Sequence, residues 1–168
     1  MSDTSTSANV PTTNTLRHAV SAAIATVTDP EYPDVSIVEL GLLESIEIDA
    51  VNPTITAHVG LIPTFGGCPA LAMIAADVRH AVEAVDGVGR CIVNWLPRPV
   101  WTTKRMTAGA RRTLADDYTV VLRRKDGGLR CPVCGGGDVD DQSLAGPTRC
   151  RSIAWCNGCR NAVEVMRN

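Results

Sequence analysis

Two C-x-x-C pairs near the end of the chain constrain its fold more than any other feature of the sequence. Cys131 and Cys134 form the first pair, Cys156 and Cys159 form the second, and 21 residues lie between them. Each pair predicts a tight turn with two sulfur atoms on one side, and two such turns complete the tetrahedral site that Zn²⁺ prefers. A segment this short cannot bury a large core, so the metal must supply much of its folding free energy. The pattern predicts a zinc ribbon over residues 129–168, with an Fe–S or redox role for these thiols as the alternative.

A fifth cysteine, Cys150, lies between the two pairs and leaves the choice of ligands open. It could replace one of the four ligands, bind a second metal, or be a small buried thiol, which is the usual role of an isolated cysteine. Arg149 and Arg151 flank it and would lower the pKa of an exposed thiol. The clustering of seven cysteines favours metal binding in a reducing, cytoplasmic location over disulfides.

The preceding part of the chain predicts a small α+β domain over residues 15–122. Apolar periodicity indicates helices near residues 16–27, 71–85 and 105–116, and strands near 42–49, 54–62 and 88–95. A fourth, edge strand is expected near 119–122, a turn at 51–53 and irregular structure at 29–34. Asn14 or Thr15 is the expected N-cap of the first helix. The predicted fold is a three- to four-stranded sheet with packed helices, joined to the ribbon by a linker at 123–128 and preceded by a disordered tail at 1–14.

Charge is distributed unevenly along the chain although the net charge is only −2. Residues 29–49 hold seven acidic side chains and no basic ones, whereas residues 98–130 hold nine basic and three acidic ones. These segments form either two solvated faces or a docking surface for an acidic partner. The small net charge argues against a nucleic-acid-binding protein. No apolar run reaches the roughly 20 residues of a membrane span, and the first residues lack the pattern of a secretory signal.

Cys68 lies in the loop of the main domain that is best suited to chemistry. It follows Gly66 and Gly67 and precedes Pro69, which places it at the expected N-cap of the second helix with proline at the first helical position. The unpaired backbone N–H groups of a helix start favour a thiolate. The sequence therefore predicts a functional thiol, with simple packing as the alternative.

Other polar and aromatic residues carry weaker signals. Cys91 alternates with apolar residues on a strand and is expected to pack in the core, and His18, His58 and His80 lack metal-ligand spacing. The loop from Trp95 to Trp101 is expected to be buried over the sheet, with a partner contact as the alternative. The sequence contains no phosphate-binding loop, H-E-x-x-H motif or nucleophile elbow, so the chain is not expected to be an enzyme. A thiol-based enzyme would lack a visible base.

Several motifs together resemble the SufT/PaaD-type iron–sulfur assembly domain. They are Asp29-Pro30-Glu31-x-Pro33, Val38-Glu39-Leu40-Gly41-Leu42, Thr64-x-x-Gly67-Cys68-Pro69 and Pro99-x-Trp101-Thr102-Thr103. The tail, Cys131-Pro-x-Cys134 … Gly146-x-Thr148-x-Cys150 … Cys156-x-x-Cys159, is similar to the ribbon of PaaD proteins, which are encoded with a multicomponent phenylacetyl-CoA epoxidase. The resemblance covers about residues 15–168. The segment after the last C-x-x-C pair departs from the PaaD pattern. PaaD ribbons are richer in aromatic residues there, whereas this chain has Asn161-Ala162-Val163-Glu164-Val165.

The resemblance implies a role in maturing or delivering Fe–S clusters and a site made of Asp29, Glu31, Thr64 and Cys68. A single cysteine cannot hold a cluster alone, so a homodimer or a client must supply further ligands. The leading hypothesis is a cytoplasmic accessory protein that holds iron or a cluster transiently and works with the assembly machinery on an oxygenase or its reductase. A structural or docking subunit of the oxygenase is the alternative, and a nucleic-acid-binding ribbon protein is disfavoured.

Overall fold

The computed structural model describes residues 12–50 and 54–167, arranged as a main α+β domain followed by a cysteine-rich ribbon. The elements of the main domain are, in chain order, α1 (Thr13–Ile24), β1 (Thr28–Asp29), β2 (Tyr32–Ser36), β3 (Leu43–Asp49), β4 (Thr56–Leu61), α2 (Ala70–Glu83), β5 (Arg90–Trp95), a 3₁₀ turn (Thr103–Arg105) and α3 (Ala108–Asp116). The remaining strands are β6 (Val120–Val121), β7 (Val139–Ser143), β8 (Arg151–Cys156) and β9 (Ala162–Met166). Among the described residues no helix is long and apolar enough to cross a membrane.

The main sheet has three strands in the order β3-β4-β5. β3 runs antiparallel to β4, and β5 runs parallel to it, because helix α2 carries the chain back across the sheet. Ala57, Val59 and Leu61 of the central strand are buried, as their alternation predicts. Ile74, Val78 and Val82 form the buried face of α2, with the helical spacing expected from the sequence. The predicted α+β class is thereby confirmed.

Local structure differs from the prediction in the first forty residues. Helix α1 begins at Thr13, and its N-cap is Thr12, whose hydroxyl accepts the N–H of Thr15 at 3.2 Å. The predicted N-caps, Asn14 and Thr15, are wrong. The acidic segment also forms a small antiparallel hairpin of β1 and β2, since the Asp29 carboxylate accepts the N–H of Glu31 at 2.8 Å and closes the turn. The expected turn at 51–53 and residues 1–11 of the expected tail lie outside the described residues.

Two of the sequence motifs contact each other at the edge of the core. The indole of Trp101 is buried, and its Nε1 donates to the carbonyl of Leu40 at 2.9 Å. Gly41 has φ +77°, and a Cβ there would lie 2.6 Å from the carbonyl oxygen of Arg105. Only glycine fits so close an approach with that backbone conformation. The expected burial of the loop from Trp95 to Trp101 is confirmed for Trp101 but is wrong for residues 97–100, which are exposed.

The ribbon is a four-stranded sheet in the order β6-β9-β8-β7. Val120 and Val121 pair in parallel with Glu164 and Val165 of β9. The prediction of an edge strand of the main sheet near 119–122 is therefore wrong: the strand exists, but it belongs to the second sheet. Two apolar residues alone do not specify which sheet a strand joins.

The ribbon has a small core of its own and also packs on the main domain. Its own core is made of Val121, Leu129, Cys131, Ala154, Cys156, Val163 and Val165. Cys150 and Met166 belong instead to the core of the main domain. The ribbon is thus attached to the main domain along the start of β8 and the end of β9.

Candidate functional site

The four cysteines of the two C-x-x-C pairs converge on one point of the ribbon. Their Sγ atoms lie within 4.8 Å of one another, with 3.5 Å between Cys131 and Cys159 and 3.6 Å between Cys134 and Cys156. In a tetrahedron with Zn–S distances of about 2.3 Å the sulfurs are separated by about 3.8 Å. The four thiols therefore fit a tetrahedral metal ion with little movement.

The two metal-binding turns have the same backbone geometry. In the first, Gly135 donates its N–H to the carbonyl of Cys131 at 2.9 Å; in the second, Arg160 donates to Cys156 at 2.8 Å. Both donors have left-handed backbones, with φ of 72° for Gly135 and 59° for Arg160. The turns therefore need a positive φ directly after the second cysteine, a conformation that costs a non-glycine residue energy.

Hydrogen-bond donors lie near two of the four sulfurs and favour their thiolate forms, which bind a cation. The side-chain amide of Asn161 lies 3.4 Å from Cys159 Sγ and, together with the neighbouring thiols, lowers the pKa of Cys159 to about 6. The N–H of Gly136 acts on Cys134 in the same direction, but the adjacent thiols raise the pKa of Cys134 to about 11. A divalent metal would displace the protons that the cluster retains near neutral pH.

Cys150 lies outside this cluster. Its Sγ is 3.2 Å from the hydroxyl of Thr148 and 3.6 Å from Oε2 of Glu31 in the main domain. Burial raises the pKa of this thiol, and the opposite effect of the neighbouring Arg151 charge is too small to reverse that shift. Among the described residues the group with metal-binding geometry comprises the other four cysteines, so the option that Cys150 replaces one of them is not supported.

Arg151 joins the ribbon to the main domain. Its guanidinium donates to Tyr32 Oη at 2.9 Å and to Glu164 at 2.6 Å, and it lies 3.5 Å from Glu31. It also stacks on the ring of Tyr32, with 5.0 Å to the centroid. Burial alone would lower the pKa of Arg151, but the hydrogen bond to Glu164 and the contact with Tyr32 raise it, so the side chain stays charged.

A cleft of about 390 Å³ lies where the Cys68 loop faces the ribbon. Its walls are formed by Glu31, Phe65, Cys68 and Pro69 from the main domain and by residues 145–149 and Arg167 from the ribbon. Cys68 is partly exposed there. Helix α2 begins at Ala70 with Pro69 as its N-cap, one residue later than expected, so the prediction that Cys68 is the N-cap is wrong.

The cleft brings together two of the four residues that the resemblance implicates. Glu31 and Cys68 both line it. Asp29 is partly buried in the hairpin, where burial raises the pKa of its carboxyl group. Thr64 lines a neighbouring cavity formed with residues 96–101. The four-residue site thus stays a prediction, of which Glu31 and Cys68 line one cleft.

Sequence reasoning missed Arg149 and Arg167 as cleft residues. The guanidinium of Arg167 lies over the ring of Phe65 at 5.4 Å, and Arg149 Nη1 is 3.5 Å from the position that a Cβ would take at Gly67. The sequence singled out Arg149 only because it is next to Cys150, and no motif included Arg167, which is close to the C-terminal end of the sequence. Cys91 is buried in the core, as predicted.

Similarity to known proteins defines the class of the main domain. Residues 17–95 match the family model described as iron-sulfur cluster assembly protein. The chain is 30% identical over 99 residues to the Fe-S protein maturation auxiliary factor YitW of Bacillus subtilis (strain 168), covering 59% of this chain and 93% of that protein. A crystal structure of a domain of unknown function, DUF59, from Bacillus anthracis aligns with a TM-score of 0.55 and 30% identity over 61% of this chain and 93% of the other. The chain belongs to the iron–sulfur cluster assembly protein family.

Similarity of the ribbon to known proteins identifies a more specific group within this family. Residues 115–167 match the model of the PaaD zinc beta ribbon domain. The chain is also 27% identical over 157 residues to a protein of Escherichia coli (strain K12) that is assigned as one of the subunits of a 1,2-phenylacetyl-CoA epoxidase, covering 89% of this chain and 92% of that protein. The assembly domain and the ribbon thus occur together in a PaaD-like arrangement, as the sequence motifs indicated.

Proposed function

We propose that the protein is a non-catalytic accessory factor that helps to mature or deliver an Fe–S cluster to a multicomponent oxygenase such as a phenylacetyl-CoA epoxidase. The observation that carries the proposal is the partly exposed thiol of Cys68 in a cleft shared by an Fe–S assembly domain and a PaaD-type ribbon. The names of the two relatives, a maturation auxiliary factor and an epoxidase subunit, support the same function. The role places the protein in the cytoplasm with the assembly machinery and the client.

In this proposal the ribbon metal is a structural zinc ion. Cys131, Cys134, Cys156 and Cys159 are its ligands, and their sulfur spacing agrees with tetrahedral Zn–S coordination. The metal stabilises the sheet that carries residues 145–149 and Arg167, so it shapes one wall of the cleft without taking part in the transfer. Four protein ligands leave no open coordination position for a substrate.

Cys68 is proposed to bind the cargo, which is iron or a cluster held transiently. One thiolate supplies only part of the coordination shell of an Fe–S cluster, so the donor, the client or a second copy of the chain provides the other ligands. Such incomplete coordination suits a carrier, since the cargo must be released again. Glu31 lines the same cleft, whereas Asp29, the other carboxylate of the predicted site, is not among the residues that line it.

The decisive experiment measures iron and acid-labile sulfide in the client oxygenase after co-expression with the wild-type protein or Cys68→Ser. We expect the substitution to lower cluster occupancy in the client while the zinc content and circular dichroism of the accessory protein stay unchanged. Cys91→Ser is the matched control, because that thiol is buried in the core away from the cleft. Equal occupancy with wild type and Cys68→Ser would contradict the proposal.

A docking role within the oxygenase complex is the second candidate. The relative assigned as an epoxidase subunit supports it, as do the exposed apolar side chains Val133 and Leu144 on the ribbon. Under this alternative, deletion of residues 129–168 abolishes co-purification with the oxygenase and Cys68→Ser changes neither complex formation nor client activity. Reduced cluster occupancy with Cys68→Ser in an intact complex would exclude it.

A further inference from the structure

We propose that Arg149 and Arg167 complete the Cys68 site and adapt it to an anionic, thiolate-ligated Fe–S cluster rather than to a bare iron cation. The inference rests on the proposed function and names the chemical class of the cargo. It gives the ribbon a direct part in holding that cargo, beyond docking to a partner.

The two arginines reach the cleft from adjacent strand ends of the ribbon. Arg149 precedes β8 and Arg167 follows β9, and the pairing of Arg151 with Met166 places both at the same end of the sheet. The backbone N–H of Arg167 donates to the carbonyl of Cys150 at 2.8 Å, and its Nη1 donates to the carbonyl of Arg149 at 3.2 Å. These bonds fix the ribbon segment that forms the wall opposite Cys68.

Contacts with the Cys68 loop aim both guanidinium groups at the cleft. The cation of Arg167 packs on Phe65, three residues before Cys68, and Arg149 Nη1 lies 3.5 Å from the position that a Cβ would take at Gly67, the residue before Cys68. A Cβ at Gly67 would be in ordinary van der Waals contact with the Arg149 guanidinium at 3.5 Å and with the Phe65 ring at 3.4 Å, so the arginine lies close to this loop. Cys68, Arg149 and Arg167 thus line the same cavity.

The charges of the cleft favour an anion. Within the described part of the chain, no carboxylate lies within 4.0 Å of either the Arg149 or the Arg167 guanidinium. Glu31 is the acidic residue of the wall, and its carboxylate is already 3.5 Å from Arg151. Two positive side chains against one negative side chain repel Fe²⁺. An oxidised [2Fe–2S] core bound by four thiolates, in contrast, carries a net charge of about −2 and offers sulfur acceptors to N–H donors.

Cargo capture is then a ligand exchange without electron transfer. The sulfur of Cys68 forms a bond to one iron of the cluster as one thiolate of the donor leaves that iron. The proton of the Cys68 thiol passes to the departing thiolate. The oxidation state of the cluster and the total charge of the reactants do not change, and the arginines stabilise the anion before and after the exchange.

The test uses the full-length, zinc-loaded protein without oxygen and two probes: a glutathione-coordinated [2Fe–2S] complex and Fe²⁺ alone. Binding is measured for the wild type, Arg149→Gln/Arg167→Gln, Arg149→Lys/Arg167→Lys and the control Arg112→Gln/Arg124→Gln, whose side chains are exposed outside the cleft. We expect the first double variant to weaken binding of the cluster complex by about tenfold or more, since charge-assisted contacts are lost. The lysine variant should retain more binding than the glutamine variant, the control should match the wild type, and Fe²⁺ binding should not weaken.

Equal binding of the cluster complex by wild type and the glutamine variant, or a parallel loss of Fe²⁺ binding, would overturn the inference. Failure of the wild type to bind the complex would overturn it as well. Unchanged zinc content in each variant shows that the ribbon is intact. In the client assay, dependence of cluster occupancy on Cys68 but not on the arginines would refute this inference alone, whereas independence from Cys68 would refute the proposed function.

Discussion

Replacing Arg151 with methionine should weaken the ribbon and its attachment to the main domain by about 2–3 kcal/mol in total. Methionine keeps much of the aliphatic stem over Tyr32 but removes the charge and its donors. Breaking one side of a fully buried ion pair costs about 3–5 kcal/mol. Because the Glu31 and Glu164 side chains are 28% and 32% exposed, water can solvate the carboxylates that remain and reduce that cost.

Urea unfolding of the zinc-loaded protein measures this effect. With an m value of about 1–3 kcal/mol per molar urea, the expected loss lowers the midpoint by about 0.7–3 M. Trp95 and Trp101 report on the main domain, whereas Trp155 of β8 reports on the ribbon, so a Trp155→Phe background separates the two signals. In the Arg151→Met variant we expect the ribbon signal to change at a lower urea concentration than the main-domain signal.

Arg124→Met is the matched control for Arg151→Met. Arg124 also forms an ion pair, with Asp126 at 3.4 Å, but both side chains are more than half exposed. Its loss should cost less than about 0.5 kcal/mol. If Arg151→Met also stays within that margin of the wild type, the contacts of Arg151 contribute nothing measurable and the reasoning about domain attachment is wrong.

Three further predictions concern local chemistry. Burial raises the pKa of Asp29 in the folded protein, so ionisation of this carboxyl group destabilises the fold at pH values above that pKa. Asp29→Asn still accepts the N–H of Glu31 and should raise thermal stability at pH 7. The gain should disappear in acid, where the carboxyl group is protonated in both the folded and the unfolded state. Arg160→Gly should stabilise the metal-loaded ribbon by about 1 kcal/mol in urea titrations because it relieves a left-handed residue, whereas Gly135→Ala should destabilise it by a similar amount. Removal of the metal with a chelator at pH 7 should unfold the ribbon first, seen as a change in Trp155 fluorescence while the far-UV dichroism of α1 and α2 persists.

The ribbon and the main helices could be predicted because their signals are local. Two C-x-x-C pairs specify a metal-binding turn each, and the spacing of Ile74, Val78 and Val82 specifies the buried face of one helix. Neither inference needs to know which distant segments meet. The partner of the Val120–Val121 strand does depend on distant segments, since a valine pair fits the edge of either sheet.

The composition of the cleft could be predicted only in part for the same reason. Cys68 stood out by its glycines and its position before a helix, and Glu31 was implicated by the family motif. Arg149 and Arg167 become cleft residues only through the packing of the ribbon against Phe65, a contact that links positions about a hundred residues apart. Cys150 could not be separated from the metal ligands by spacing; its neighbours Thr148 and Glu31 distinguish it.

The parallel pairing of β6 with β9 has a mechanical consequence for cargo exchange. The loop after β6 closes on itself through the bonds from Arg124 to Gly128 and from Gly127 to Arg124, so it is a turn inside the ribbon rather than a hinge between two bodies. If β6 stayed with the main domain while the ribbon swung away from Cys68, the β6–β9 ladder would break. If β6 moved with the ribbon, the contacts of Arg151 with Tyr32 and Glu31 would break. Cargo is therefore expected to enter and leave by rearrangement of the side chains at the mouth of the cleft, with the two domains moving as a unit.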